Sequence, residues 1–173
     1  MGLFLLGLPI ITVILSLLIK NKRLLYALGI AAAGSYAMEL WGGFFYVDAL
    51  GALFLDIVTV LCFLVSIYSV GYLEQDLQNG SIDEGKIHLY YPLLFTFIFT
   101  MVLALTVRNM GIMWIAIEAT TLASAFLVGF YNNKKGIEAA WKYVIICSVG
   151  IAIAFLGIIL LHLASMDSLA EHE

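Results

Sequence analysis

The chain has 173 residues, 64% of them hydrophobic and 12% charged, with a formal net charge of −4 and a mean hydropathy of +1.07. Soluble domains carry roughly 25% charged residues, so polar surface is too scarce here to cover a water-soluble particle, and an integral membrane protein follows. Long Leu, Ile, Ala and Phe runs without strand-like alternation favour helices over a barrel, and nucleic-acid binding is excluded for want of a basic patch.

At about 20 apolar residues per span, the sequence predicts an all-α polytopic membrane helix bundle of about six transmembrane helices. They form one transmembrane domain over residues 1–173, with spans near 2–19, 24–42, 49–72, 89–107, 110–131 and 138–163. The first run lacks a preceding basic region and a small-residue cleavage site, so it reads as a retained span rather than a signal peptide. Ala31 to Ser35 in span two, and Gly150 and Gly157 in span six, are small residues of the kind that let membrane helices approach closely. Trp41, Phe44, Phe45 and Tyr46 suit an interfacial aromatic belt. The linker Glu74 to His88 contains the turn signal Gln78-Asn79-Gly80-Ser81. Cys62 and Cys147 fall inside apolar runs, where a free thiol acts as a small hydrophobe.

Lys20, Lys22, Arg23, Lys86, Lys134 and Lys135 all lie in the odd-numbered linkers, and Arg108 alone falls on the opposite side. The positive-inside rule then places the odd linkers in the cytoplasm and both termini outside, in the cell's inner (plasma) membrane.

Ionisable residues within the spans are the candidate functional groups, because a charge in hydrocarbon needs a partner or water and often marks an ion path. Glu118, in Trp114-Ile115-Ala116-Ile117-Glu118-Ala119-Thr120-Thr121-Leu122, sits near mid-depth, roughly 13 Å from the start of its run. The alternative for Glu118 is a structural carboxyl, neutral and bonded to Thr120, Thr121 or a neighbouring helix. Lys142 lies about one turn inside span six, on the order of 10 Å along the axis from Glu118. It serves either as a proton-relay element or as an interfacial lysine paired with Glu138 at i,i+4. Asp56, about two turns into span three, and His162, near the outer end of span six, are further proton-path candidates; each also suits a hydrogen-bonded or interfacial role. No cysteine cluster, axial haem pair or glycine-rich nucleotide loop is present, so no cofactor or metal is expected in this chain and any catalysis belongs to partners.

Trp114 to Tyr131 (WIAIEATTLASAFLVGFY) and Gly136 to Leu160 (GIEAAWKYVIICSVGIAIAFLGIIL) resemble the antiporter-like subunits of respiratory complex I and membrane-bound NiFe hydrogenases, related to Mrp-type cation/proton antiporter subunits. Tyr46 to Phe54 and Ser66 to Tyr72 are similar to the component F subunit of formate-hydrogenlyase-type hydrogenases. The resemblance implies that Glu118 matches the family's fifth-span proton-channel glutamate and Lys142 its sixth-span lysine. It also implies a lysine on a broken seventh helix, further lysines and an inverted repeat of five helices, whereas this chain covers only the N-terminal third. A split subunit, a reduced scaffold subunit or a truncated chain would each produce this, and the polar ending Ser165 to Glu173 reads as a natural terminus.

The function so implied is a membrane-arm subunit contributing part of a proton (or sodium) path, coupled to electron transfer in partner subunits. The expected partners are the lipid bilayer, other membrane-arm subunits including a channel-completing antiporter-like one, and peripheral hydrogenase or iron–sulfur subunits. The alternative is a non-translocating spacer or anchor of the same type of complex.

Overall fold

The computed structural model describes residues 11–19, 24, 27–29 and 49–170. Most of spans one and two, with Ala31 to Ser35 and the proposed aromatic belt, lies outside the described residues. Four helices follow in order: α1 (Ala49–Gln78), α2 (Glu84–Thr106), α3 (Met110–Val128) and α4 (Lys134–Ala170). All four are long and apolar enough to cross a membrane, and no strand occurs among the described residues. The molecule is an all-α membrane helix bundle.

Helices α1, α2 and α4 outrun the apolar segments that announce them, whereas α3 stops at Val128, short of the expected 131. Helix α1 continues through Glu74 and Asp76, and α2 starts at Glu84, so the connection expected over 74–88 shrinks to residues 79–83. Backbone hydrogen bonding does not stop where hydrocarbon stops; it stops where a specific residue ends it. Gly80 does so here, at φ +69°, the left-handed conformation that glycine adopts without a Cβ clash. Ser81 N–H then donates to Asp76 O at 2.9 Å, closing a Schellman-type end.

Side-chain caps start the last two helices. Asn109 Oδ1 accepts from the N–H groups of Gly111 and Ile112 at 2.9 and 3.1 Å. Asn133 Oδ1 accepts from Gly136 N–H at 2.6 Å, satisfying donors that the first turn leaves free. A Cβ at position 136 would lie 2.9 Å from that same oxygen, so a larger residue there would require the Asn133 side chain to shift.

Packing runs in sequence order: α1 on α2, α2 on α3, α3 on α4, with no other pairing among these four. The buried stripe of α1 is Leu55, Thr59, Cys62, Ser66, Ser69 and Leu73, at alternating spacings of four and three that keep one face of the helix inward. Its middle is small and polar, while Leu53, Phe54, Ile57, Val60, Leu61 and Leu64 are exposed. In water that arrangement would be inverted; in lipid, large apolar groups gain nothing by burial, and small ones allow close packing. Ser66 and Ser69 donate to the carbonyls of Cys62 and Val65 one turn back, so no hydroxyl of this pair is left unpaired.

Tyr91 and Phe95 of α2 are fully buried and meet the helical segment 27–29, where a Cβ on Gly29 would come within 3.0 Å of the Tyr91 ring. Gly150 and Gly157 behave differently. Each is exposed, and a Cβ would meet nothing within 4 Å, so neither serves as a close-packing point among the described residues. The face of α4 toward α3 carries Gly136, Ala140, Val144, Cys147, Ser148 and Ile151 instead, and no residue of the α4 apolar span is buried.

Candidate functional site

Glu118 is the ninth of the 19 residues of α3, about 12 Å from its first residue and about 15 Å from its last, on the helix that packs between α2 and α4. Rungs between one and two turns apart join α3 to α4 in antiparallel register. Trp114 Nε1 donates to Ile151 O at 2.9 Å, and the Trp114 ring lies 4.4 Å from that of Phe155. Ser148 Oγ donates to Glu118 Oε1 at 3.3 Å. Further along, Ser124 Oγ and Tyr143 Oη are hydrogen-bonded at 2.9 Å. At the turn, a Cβ on Gly129 would meet Ala140 Cβ at 3.6 Å.

The second oxygen of Glu118, Oε2, is buried and has no hydrogen-bond partner among the described residues. Thr120 and Thr121 do not supply one: their hydroxyls donate to the carbonyls of Ala116 and Ile117. A carboxylate so placed is stable only if a charge, a donor or a proton completes it. No basic side chain pairs with Glu118 among the described residues. The carboxyl is therefore held at one oxygen by Ser148 and without a partner at the other among the described residues.

The other sequence-derived candidates are not gathered around it. Lys142 faces away from α3 and pairs with Glu138 at 2.5 Å, both side chains being largely exposed. It lies six positions before Ser148, about 9 Å along the axis and about a third of a turn around the helix from it. Asp56 is exposed on the outer side of α1 and has no partner among the described residues. His162 is exposed near the far end of α4, where its carbonyl accepts from Ser165 Oγ.

Two features escaped the residue-by-residue reading. Ser148 is the lone hydroxyl between Tyr143 and His162, a signal that could have been weighed once Glu118 needed a donor on the next helix. The other is a cluster where α1, α2 and the α3–α4 turn meet. Tyr131 donates to Asp76 Oδ2 and is hydrogen-bonded to Tyr72, while Lys86 Nζ donates to Tyr131 O at 3.1 Å. Desolvation first, then the bonds to Asp76 and Tyr72, hold the Tyr131 phenol above the ordinary tyrosine range.

Two family models match the chain. One, described as "NADH-Ubiquinone oxidoreductase (complex I), chain 5 N-terminus", covers residues 43–79. The other, "NADH:quinone oxidoreductase/Mrp antiporter, TM", covers residues 107–169 and so includes the α3–α4 seam. Among relatives, a hydrogenase-4 component F homolog of Methylacidiphilum infernorum is 32% identical over 130 residues, 75% of this chain and 27% of the relative. A Na(+)/H(+) antiporter subunit A1 of Staphylococcus haemolyticus is 34% identical over 129 residues, 74% of this chain and 15% of the relative. An NADH-quinone oxidoreductase subunit L of Rhodobacter capsulatus is 34% identical over 100 residues, 58% of this chain and 14% of the relative. The chain thus spans about a quarter or less of the length of these three curated relatives. No solved structure matches it significantly. The apolar helix bundle, the two matched segments and these relatives together place the chain in the family of antiporter-like membrane subunits found in complex I, membrane-bound hydrogenases and Mrp-type antiporters.

Proposed function

We propose that the chain contributes part of a proton path, or a sodium path, in the membrane arm of a complex-I-like or hydrogenase-type oxidoreductase, with Glu118 as its proton-carrying group. The observation that carries this reading is the Glu118 carboxyl itself, at the middle of α3 with one oxygen held by Ser148 and the other buried and unpaired. A carboxyl in apolar surroundings responds strongly to nearby charge, because a low local dielectric magnifies the interaction. Electron transfer in partner subunits, which hold the redox centres, then drives proton uptake and release at Glu118 by changing the charge next to it.

Lys142 is the secondary element, at the cytoplasmic end of α4, with Asp56 and His162 as minor ones. The membrane is the cell's inner (plasma) membrane, the α1–α2 and α3–α4 connections face the cytoplasm, and both termini lie outside. An adjacent antiporter-like subunit or segment completes the channel, and peripheral hydrogenase or iron–sulfur subunits supply the electrons.

Glu118→Gln in native membranes tests the reading. Electron transfer is expected to persist while proton translocation falls by an order of magnitude or more, the scale of effect from losing a group that transfers the proton. Normal translocation in that variant would sink it.

A second reading, a non-translocating spacer, draws on the absence of a cation beside Glu118 among the described residues and on the Lys142–Glu138 pair. Under that reading Glu118→Gln alters assembly or thermal stability with no separate effect on coupling.

A further inference from the structure

We propose that Ser148 is a positioning residue for Glu118: its hydroxyl anchors Oε1 so that Oε2 is the oxygen that takes up and yields the proton. With Glu118 as the proton carrier of the preceding section, on which this rests, the chain then supplies both the carrier and the group that aims it.

The choice that Ser148 makes among acceptors carries the inference. A serine or threonine inside a helix ordinarily donates to the carbonyl three or four residues before it. Ser66, Ser69, Thr96, Thr106, Thr120 and Thr121 all do so here. Ser148 departs from that habit, reaching across to another helix and donating to the Glu118 carboxyl.

The surroundings leave the role to Ser148. Facing Glu118 from α4, the titratable neighbours are Cys147, beside Ser148, and Tyr143, which is bonded to Ser124. Helix α2 has no titratable or charged side chain from Pro92 to Thr106, the stretch that packs along α3. Trp114, one turn from Glu118, is committed to Ile151 O. Ser148 is therefore the donor that these helices offer the carboxyl. With Oε1 bonded to Ser148 at 3.3 Å, rotamers that keep this contact are favoured, and they present Oε2 to a proton donor or acceptor arriving from the rest of the channel.

The test compares Ser148→Ala, Ser148→Thr and Glu118→Gln in native membranes, with two readouts. The first is the number of protons translocated per electron transferred. Ser148→Ala is expected to lower it several-fold, and Ser148→Thr, which keeps the hydroxyl, to restore it. The second is the carboxyl carbonyl band in the acid-minus-neutral infrared difference spectrum, assigned to Glu118 by its loss in Glu118→Gln. Removing a hydrogen bond moves that band to higher frequency, so it shifts in Ser148→Ala and keeps its place in Ser148→Thr. An unshifted band in Ser148→Ala overturns the proposal. A serine that merely supports the fold would leave the number of protons per electron unchanged in Ser148→Ala, an outcome that also overturns the proposal. Normal translocation in Glu118→Gln instead overturns the carrier role, and the band still reports whether Ser148 holds the carboxyl.

Discussion

The indole Nε1 of Trp114 donates to the carbonyl oxygen of Ile151 at 2.9 Å, and this bond locks the register that sets Ser148 opposite Glu118. Trp114 precedes Glu118 by four residues and Ile151 follows Ser148 by three, so the two rungs are one helical turn apart. A slip of α4 along α3 would break both together.

Trp114→Phe keeps an aromatic ring against Phe155 but loses the donor. A loss of about 1 kcal/mol in stability is expected, read as a lowered Tm of the purified protein, with translocation reduced alongside it. Trp114→Ala removes the ring contact as well, adding about 0.5–1.5 kcal/mol. A Phe variant as destabilised as the Ala variant would mean the hydrogen bond, not the ring pair, holds the seam.

Enlarging the inner face of α1 should separate it from its neighbours. Ser66 is fully buried on that face, and Ser66→Leu is expected to destabilise by about 1–3 kcal/mol through overpacking. Ser66→Ala should be nearly neutral, because the hydroxyl serves its own helix through Cys62 O. Thermal unfolding of the two variants side by side checks the contrast, and equal losses would contradict it.

Tyr131→Phe removes the bonds to Asp76 and Tyr72 that hold the α3–α4 turn against α1. At pH 7 the loss is expected to be about 1 kcal/mol. The folded chain holds this phenolic proton more tightly than the unfolded chain, whose tyrosine has the ordinary value of 10.0. The contribution is thus complete below that pH and declines as the pH rises above it. The gap in Tm between wild type and Tyr131→Phe should narrow from pH 7 to pH 11; a gap that widens contradicts the assignment.

Lys142→Ala separates stability from transport. Its pair with Glu138 is exposed, so the change in stability should stay within about 0.5 kcal/mol. A drop in protons translocated per electron with unchanged Tm supports the secondary role proposed for Lys142. Unchanged coupling leaves that lysine to the salt bridge alone.

Much of the architecture was legible because its cause is local. Apolar runs of about 20 residues identify the helices now seen as α1 to α4, since in lipid every backbone group must bond within its own segment. Helix ends were less legible: the sequence reading closed span three near residue 72, whereas α1 runs on to Gln78, where Gly80 rather than a change in polarity ends it. Gly150 and Gly157 were expected to pack closely and instead stand open among the described residues, because composition does not say which side of a helix meets a neighbour.

By itself, then, the sequence determined that the chain lives in a membrane, that it is helical, and that one carboxyl must sit near the centre of a span. Hydrophobic length and the scarcity of charge decide those things without reference to any contact. Only the tertiary structure decided what faces that carboxyl. Partner choice depends on how α4 is rotated and registered against α3, and those quantities are set by contacts such as Trp114 with Ile151, between residues 37 apart in the chain. That is why Thr120 and Thr121, near neighbours of Glu118, turn to their own backbone, while Ser148, 30 residues away, reaches it.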